Sequence, residues 1–445
     1  MKPALKLLVI GTIVVSAALA TTARAQGNSP PASPPIDSLP SVRIDTLLDL
    51  DVVIQRALAV SPAAAFAREG LRTAQSEKRV ALGEYIPGLS ANSAAVSSDI
   101  ATSPGLSTTP NAYSAGLAAS LDVITGGRRS ADRSRAAADF VSANANNIAT
   151  RFAVTLAAQN AFYQTLRGSD LVDVARQSVA QAQEGLRYAL DRVRAGTATR
   201  SDQLRAQLQV TTGRLQLVAA MDTLQTAAYA LGRLVGSDGP VAGRRPSSLD
   251  PRVLALADSE IVRLAVNASP AVIAARSQER ADIASVSAAK STYVPDIKLT
   301  GQYNWANQSN LLEAIHPGWF LMLGTSYPLF NGFVREDQVT RAEATSDVSR
   351  VASLDAVRQA RAEAARLLTG LRLAVQNITL ANEAVQSAQE DLRVQTERYR
   401  AGISTELDQL TSQLAFTQAQ LSLVASRYNY QITRAQLEAL VGRAL

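Results

Sequence analysis

The chain contains an internal duplication, and this feature constrains its fold more than any other. Ser61-Pro62-Ala63 reappears as Ser269-Pro270-Ala271, at an offset of 208 residues (270 − 62 = 208). Arg194-Ala195-Gly196 reappears as Arg400-Ala401-Gly402, at an offset of 206 (402 − 196 = 206). Three more segments recur in the same order: Tyr85-Ile86-Pro87 as Tyr293-Val294-Pro295, Asp202-Gln203-Leu204 as Asp408-Gln409-Leu410, and Leu234-Val235-Gly236 as Leu440-Val441-Gly442. We therefore expect the two halves to fold in the same way.

The composition excludes several classes of functional site. The 445 residues include one His and no Cys, which excludes disulfides, thiolate metal sites, thiol nucleophiles and a lipid anchor on cysteine. A single histidine, His316, argues against a His-rich metal site and against Ser-His-Asp catalysis. There is no P-loop, dinucleotide fingerprint or Gly-x-Ser-x-Gly motif. We expect no enzymatic activity, no cofactor and no resident metal.

The charge distribution argues against a nucleic-acid partner. The formal net charge is +6, and the arginines are dispersed among acidic residues rather than grouped in one patch. Aromatic residues make up only 5% of the chain although 47% of it is hydrophobic. This composition favours long, closely packed helices over a conventional enzyme core.

The N-terminus is predicted to be an export signal. Residues 1–25 begin with Lys2 and Lys6, continue with an apolar stretch and end in Ala23-Arg24-Ala25, a typical cleavage site. The apolar stretch is too short to span a bilayer, and we expect no transmembrane helix in the mature chain. The proline-rich residues 26–44 are predicted to be an extended tether.

Each half is predicted to contain two short helices, a pair of strands, a very long helix and a return helix. The first repeat covers 45–236, with a strand pair about 88–124, a long helix about 128–195 and a return helix about 199–235. A Gly- and Pro-rich linker covers 237–256. The second repeat covers 257–442, with a strand pair about 296–330, a long helix about 334–401 and a return helix about 405–441.

The strand and helix predictions depend on periodicity. Residues 297–305 alternate between apolar and polar, which indicates a strand with one apolar face. The long helices carry sustained heptads in which one core position is small, as at Ala175, Ala182, Ala381 and Ala388. Such heptads indicate coiled-coil packing with closely spaced helix axes. The predicted fold class is mainly α with transmembrane β, built from a duplicated β-α unit.

Four amphipathic strands of about ten residues are long enough to cross a bilayer when tilted. An open sheet cannot lie in lipid because its edge amides would lack partners, and bacterial barrels begin at eight strands. The strands are therefore expected to form a barrel shared among protomers. An interfacial aromatic girdle is predicted at Tyr303, Trp305, Trp319, Phe320 and Tyr327. The alternative is a soluble, half-buried sheet with these aromatics in its core.

The duplicated Ser-Pro-Ala helix, the Tyr-x-Pro strand entry and the Arg-Ala-Gly turn before a Leu-rich helix resemble the outer-membrane efflux protein family of the TolC type. The resemblance covers roughly residues 45–442. It implies a homotrimer with a shared twelve-stranded barrel, outer-membrane lipid around the barrel, and a twelve-helix coiled-coil tunnel in the periplasm of a Gram-negative bacterium. It also implies a periplasmic adaptor and an inner-membrane pump as partners. The implied function is a passive channel of a tripartite efflux or type I secretion system.

The resemblance further implies roles for residues at the turns that follow the long helices. Asp202, Tyr399 and Asp408 correspond to positions that close the periplasmic gate. The turns Arg194-Ala195-Gly196 and Arg400-Ala401-Gly402 correspond to the tip on which the adaptor docks. The sequence departs from the family pattern at Ser404, where a basic residue is expected, and at Thr411, where an acidic one is expected.

Two aspartates at these turns also have a purely structural interpretation. Thr199-Arg200-Ser201-Asp202 and Thr405-Glu406-Leu407-Asp408 are both capping-box patterns that begin a helix. A non-pore periplasmic coiled-coil scaffold remains an alternative function. The cargo of a channel stays open between small toxic compounds, metal ions and secreted proteins.

Overall fold

The two halves of the chain share one succession of two short helices, two long strands, a very long helix and a return helix, and the first half has two additional three-residue strands. The computed structural model describes residue 44 and residues 46–97, 111–251, 254, 256–307, 316–443 and 445. These residues belong to one unit, Val42–Leu445. The predicted signal at 1–25 and the tether at 26–44, apart from residue 44, lie outside the described residues.

The first half contains β1 (Thr46–Leu48), α1 (Leu50–Val60), α2 (Pro62–Gly83), β2 (Gly88–Ser97), β3 (Asn111–Ile124), α3 (Arg128–Arg194), α4 (Arg200–Leu234) and β4 (Val241–Gly243). The second half contains α5 (Asp258–Ala268), α6 (Pro270–Ser291), β5 (Asp296–Asn307), β6 (His316–Ser326), α7 (Val334–Arg400) and α8 (Glu406–Val441). Proline stands at the first position of both α2 and α6, where its missing N–H needs no helical partner. The long helices agree with the predicted boundaries to within a residue.

The four long strands form one antiparallel sheet in the order β2-β3-β5-β6. Its two hairpins, one from each half, join through β3 and β5, where Leu117 pairs with Tyr303. Tyr303 in turn pairs with Trp319 of β6, so these three side chains share a face. Lys298 and Thr300 point to the opposite face because successive side chains alternate. The predicted alternation is confirmed, and β2 and β6 are the two edges of this sheet.

The sheet differs from the predicted strands at two places. β6 ends at Ser326, so Tyr327 and Leu329, predicted to continue this strand, lie beyond it. Pro328 between them has no N–H to donate to a strand ladder. In β3 the register shifts between Asp122 and Ile124, and Val123 falls in this irregularity instead of continuing the apolar face.

The helices α3 and α7 each contain 67 residues, which corresponds to about 100 Å at 1.5 Å per residue. Of the four predicted small heptad residues, Ala175, Ala182 and Ala381 are buried against neighbouring helices, whereas Ala388 is only partly buried. Glycine permits an equally close approach in the first half, because a Cβ on Gly213 would lie 3.2 Å from the Val179 Cγ2 atom. The prediction of tightly packed helix pairs is confirmed.

The leucines that recur along α4, the Leu-rich helix after the first Arg-Ala-Gly turn, form an exposed stripe. Leu208 and Leu215 are 65% and 68% exposed, whereas α4 packs through small and branched residues such as Ala206 and Val210. An exposed row of leucines on one helix indicates a surface available to another chain.

Two clusters of buried side chains hold the short helices against the long ones. The first cluster joins both halves and includes Val53, Phe162, Leu231, Val241 and Tyr428. The second lies within the second half and includes Ile261, Leu367, Tyr430 and Leu437. In the first, the Tyr428 hydroxyl donates to the Asp170 Oδ2 atom at 2.8 Å, which connects α8 to α3. These contacts set the relative position of the two halves, and thereby of the turns described next.

Candidate functional site

The turns after α3 and α7 end in the same glycine motif. Gly196 and Gly402 have φ angles of 73° and 78°, which side chains with a Cβ rarely adopt. The Thr197 amide donates to the Arg192 carbonyl at 2.9 Å, and Ile403 donates to the Arg398 carbonyl at the same distance. This six-to-one bond defines a Schellman C-cap. The predicted role of both glycines as helix terminators is confirmed.

The next helices begin with capping boxes. The Asp202 Oδ2 atom accepts from the Thr199 amide and hydroxyl, both at 2.8 Å. The Asp408 Oδ2 atom accepts from the Thr405 amide at 2.9 Å and hydroxyl at 2.7 Å. These bonds to backbone and side chain lower the pKa of both carboxyl groups. The capping interpretation of the two aspartates is confirmed, and it leaves a gate role open.

Side chains from the two halves contact each other next to these turns. The Arg192 guanidinium of α3 lies 4.8 Å from the ring centroid of Tyr399 on α7. The Arg400 guanidinium of α7 lies 4.6 Å from the ring centroid of Tyr188 on α3 and donates to its hydroxyl. Each is a cation–π contact. Sequence reasoning missed both contacts, because they connect residues about two hundred positions apart.

The structure brings Asp202 and Tyr399 together but leaves Asp408 apart. A cavity of about 510 Å³ at the tip is lined by Asp202, Tyr399 and Glu406, together with Arg192 and Arg205. Tyr399 is only 2% exposed. Its burial, followed by the nearby Glu406 carboxylate, raises the pKa of its hydroxyl. Glu406 was not predicted as a site residue, and it lines the same cavity as the predicted gate residues Asp202 and Tyr399.

The predicted docking turns are exposed, with Ala195, Gly196, Ala401 and Gly402 all on the surface. Arg194 points into solvent and forms an ion pair with Asp191 at 3.2 Å. The two departures from the family pattern bond to the backbone nearby. The Ser404 hydroxyl donates to the Gln395 carbonyl at 3.4 Å, and the Thr411 hydroxyl donates to the Leu407 carbonyl at 2.8 Å.

The five aromatics predicted to form a girdle occupy three places. Tyr303, Trp305 and Trp319 share one face near the loop end of the β5–β6 hairpin, where the Tyr303 and Trp305 rings lie 4.7 Å apart. Trp319 is 76% exposed. Phe320 follows it in β6 and therefore points to the opposite face. Tyr327 lies at the other end of the hairpin, next to the start of α7.

A buried arginine occupies the junction between the sheet and the second long helix. Arg335, in the first turn of α7, donates to the Tyr327 hydroxyl at 3.1 Å, and its guanidinium lies 5.4 Å from that ring. Tyr327 is thereby held at the sheet–helix boundary. The sequence contains no periodicity or motif that could have predicted this pairing.

Neither a metal centre nor a spanning helix is found in the described part of the chain. No group of three or more His, Asp or Glu residues there is placed to hold a metal ion. No single helix there is long and apolar enough to cross a membrane. The consecutive helices α1 and α2 pass such a test only when taken together, and they are bent by 57° at their junction.

Comparison with known proteins gives a consistent result over nearly the whole chain. The family model described as "Outer membrane efflux protein" matches residues 53–237 and 261–443. The pyoverdine export outer membrane protein OpmQ of Pseudomonas aeruginosa is 27% identical over 88% of this chain and 84% of its own length. The outer membrane protein OprJ of the same species is 24% identical over 80% of this chain and 78% of its own length.

Solved structures have the same fold. The outer membrane protein VceC of Vibrio cholerae superposes with a TM-score of 0.76 at 21% identity, over 89% of this chain and 96% of VceC. The MtrE outer membrane channel of Neisseria gonorrhoeae, solved in its open state, gives a TM-score of 0.77 at 19% identity over 89% of each chain. The predicted fold is confirmed: the chain combines long coiled-coil helices with four strands in one open antiparallel sheet, as these channels do.

Proposed function

Because the chain belongs to the outer membrane efflux protein family, we propose that it is the exit duct of a tripartite efflux or type I secretion system. Membership confirms the resemblance drawn from the duplicated motifs. The protein lies in the outer membrane, with its helical part in the periplasm. In the proposed system an inner-membrane pump supplies the energy, a periplasmic adaptor joins pump to duct, and this chain catalyses no reaction.

The observation that carries the proposal is the open four-stranded sheet with one apolar face. No strand in the described part of the chain pairs with the outer edge of β2 or of β6, and lipid offers no hydrogen-bond partner to the amides and carbonyls along these edges. Three copies supply twelve strands, in which each β6 edge pairs with the β2 edge of the next copy. The exposed leucines of α4 support the same assembly, since neighbouring copies would cover them.

The aromatic residues support a transmembrane position for the sheet. Trp319 lies in β6 and Tyr327 directly follows the last strand residue, Ser326, so the eight residue steps between them correspond to about 26 Å of extended backbone at 3.3 Å per residue. A strand tilt of about 40° reduces this to roughly 20 Å across the membrane, close to the apolar band of about 25 Å in outer-membrane barrels. We propose that Tyr303, Trp305 and Trp319 form the outer girdle and Tyr327 the inner one, while Phe320 faces the lumen.

The helix turns are proposed to be the periplasmic end of the duct. Asp202, Tyr399 and Asp408 are assigned to the gate, and the exposed turns around Gly196 and Gly402 to the adaptor-docking tip. The signal at 1–25 and the division into repeats at 45–236 and 257–442 with a linker at 237–256 remain predictions.

The assembly is tested by the mass of the detergent-solubilised protein and by its conductance in a planar bilayer. We expect a trimer that persists on dilution and forms discrete conducting pores. A folded monomer that stays soluble without detergent would contradict the duct and favour the non-pore coiled-coil scaffold. Cross-linking in cells of the native host, followed by mass spectrometry, would identify the adaptor and the pump.

A further inference from the structure

An unusual pair of acidic residues connects the two halves of the chain at the helix tips. Glu406, in the first turn of α8, lines the same cavity at the helix tips as Asp202, in the first turn of α4. The position that corresponds to Glu406 in the first half is Arg200 (406 − 200 = 206). The duplication therefore does not require an acid at this position, and only the second half has one there.

The charged surroundings of Glu406 come from four helices. Asp202 and Arg205 face it from α4, and the Arg205 Nη1 atom contacts the Asp202 Oδ1 atom at 3.4 Å. Arg192 of α3 and Tyr399 of α7 line the same cavity. On its own helix, Asp408 is bound to Thr405. The Glu406 Oε2 atom is buried and accepts no hydrogen bond from any described group.

Two adjacent carboxyl groups cannot both ionise without strong repulsion, so one proton is shared between them. Asp202 is held ionised because it accepts two hydrogen bonds from Thr199, which lower its pKa. Burial, and then the charge of Asp202, raise the pKa of Glu406 to about 7. Of the two carboxyl groups, Glu406 is therefore the one that takes up the proton, and its protonated carboxyl would be able to donate to the Asp202 carboxylate.

We propose that the Asp202–Glu406 pair is a proton-operated latch, which joins the starts of α4 and α8 when Glu406 is protonated and releases them when it ionises. The latch acts beside the Arg192–Tyr399 and Arg400–Tyr188 contacts, which also bridge the two helix pairs. This inference rests on the proposed function, because it takes the separation of the α4 and α8 tips to open the periplasmic end of the duct.

The direction of the pH effect follows from linkage. In the latched state the pKa of Glu406 is about 7, and in the released state it returns to an ordinary value of about 4.3. The latch is therefore at full strength below the ordinary pKa and weakens as the pH rises through about 7. Solvent at the tip screens the interaction between the two carboxyl groups, which reduces the effective difference between the latched and released pKa values of Glu406. A difference of one pKa unit corresponds to a change of about tenfold in the equilibrium between the latched and released tips.

The test is the resting conductance of the full-length protein in planar bilayers between pH 5 and pH 8.5. We expect the wild-type open fraction to rise about tenfold across this range. Glu406→Gln keeps a neutral donor beside Asp202, and we expect a low open fraction at every pH. Glu406→Ala removes the bridge, and we expect a high open fraction at every pH. Glu397→Gln removes an exposed carboxylate from the end of α7 and should leave the wild-type pH profile unchanged.

A pH profile of Glu406→Gln that matches the wild type would overturn the latch. A wild-type protein that forms no pore in any buffer would contradict the proposed function instead. The acid pair would then be judged by the infrared band of the protonated carboxyl. We expect this band in the wild type at pH 6, a weaker band at pH 8.5, and no band from this carboxyl in Glu406→Gln. If the wild type lacks the band at pH 6, the inference is wrong whether or not the protein conducts.

Discussion

The Arg335 guanidinium lies 5.1 Å from the ring centroid of Tyr293, and this contact occurs twice in the chain. In the first half the Arg129 guanidinium lies 5.0 Å from the ring centroid of Tyr85. In both halves the tyrosine follows the second short helix and the arginine lies in the first turn of the long helix. Both repeats therefore contain a cation–π contact that links the segment before the strand pair to the start of the long helix after it.

The first prediction concerns this junction. Arg335→Leu removes the contacts with Tyr293 and Tyr327, and we expect it to lower the free energy of unfolding by about 1–3 kcal/mol. Thermal unfolding of the purified protein in detergent measures the effect. Arg341→Leu is the control, since Arg341 is exposed and has only one ion pair, with Asp337 at 2.8 Å. We expect a change of about 0–1 kcal/mol there, and equal losses at both positions would contradict the assignment.

The second prediction concerns the closeness of the long helices. Ala182→Leu and Ala381→Leu each place a larger side chain at a buried, small heptad position. We expect each to destabilise the protein by about 1–3 kcal/mol through overpacking. Gln386→Leu, at an exposed position of α7, should be nearly neutral. If thermal unfolding did not separate the two groups, the heptad register would be incorrect.

The third prediction concerns the docking turn. Gly402→Val forces a β-branched residue to a φ of 78°, which distorts the turn. We expect the variant to lose export while its trimer and membrane level are retained. Gly402→Asn is the matched control, because asparagine tolerates this conformation. The measurement is resistance to toxic compounds in cells that depend on the wild-type chain, and full resistance with Gly402→Val would exclude the turn as a docking surface.

The fourth prediction separates the capping and gate roles of Asp408. The Asp408 pKa is lowered by Thr405, so the group stays ionised at neutral pH and protonates only as the pH falls through the lowered value. Three such carboxylates around a narrow pore would attract cations. We expect Asp408→Asn to reduce cation selectivity and divalent block in bilayer recordings. An unchanged current–voltage curve would mean that Asp408 only caps α8.

A companion variant tests the same role in the first half. Asp202→Asn should change selectivity less than Asp408→Asn if the first-half turn lies further from the pore axis. Because Asp202 also faces Glu406, its substitution should in addition lower the pH at which the resting conductance rises. If Asp202→Asn changed selectivity more than Asp408→Asn does, the first-half turn would lie closer to the pore axis than the second-half turn, contrary to this prediction.

Much of the helix tip was predictable because its determinants are local. The capping boxes at Thr199 and Thr405 and the glycines at 196 and 402 act within a few residues of their own helix ends. The leucine stripe of α4 illustrates the limit of such reasoning. Periodicity indicated an apolar face, but it could not distinguish a face buried in one chain from a face left for a neighbouring copy.

The sequence by itself determined the duplication, the order of the elements and the ends of the long helices, because periodicity, prolines, caps and glycines act over short distances along the chain. Only the tertiary structure decided which side chains meet across the two halves. Glu406 and Asp202 line one cavity, and Arg192 contacts Tyr399, because α3 packs against α8, which itself packs against α7, and this brings together turns that are about two hundred residues apart. No local pattern encodes such pairs, since their free energy depends on burial and charge created by the fold itself.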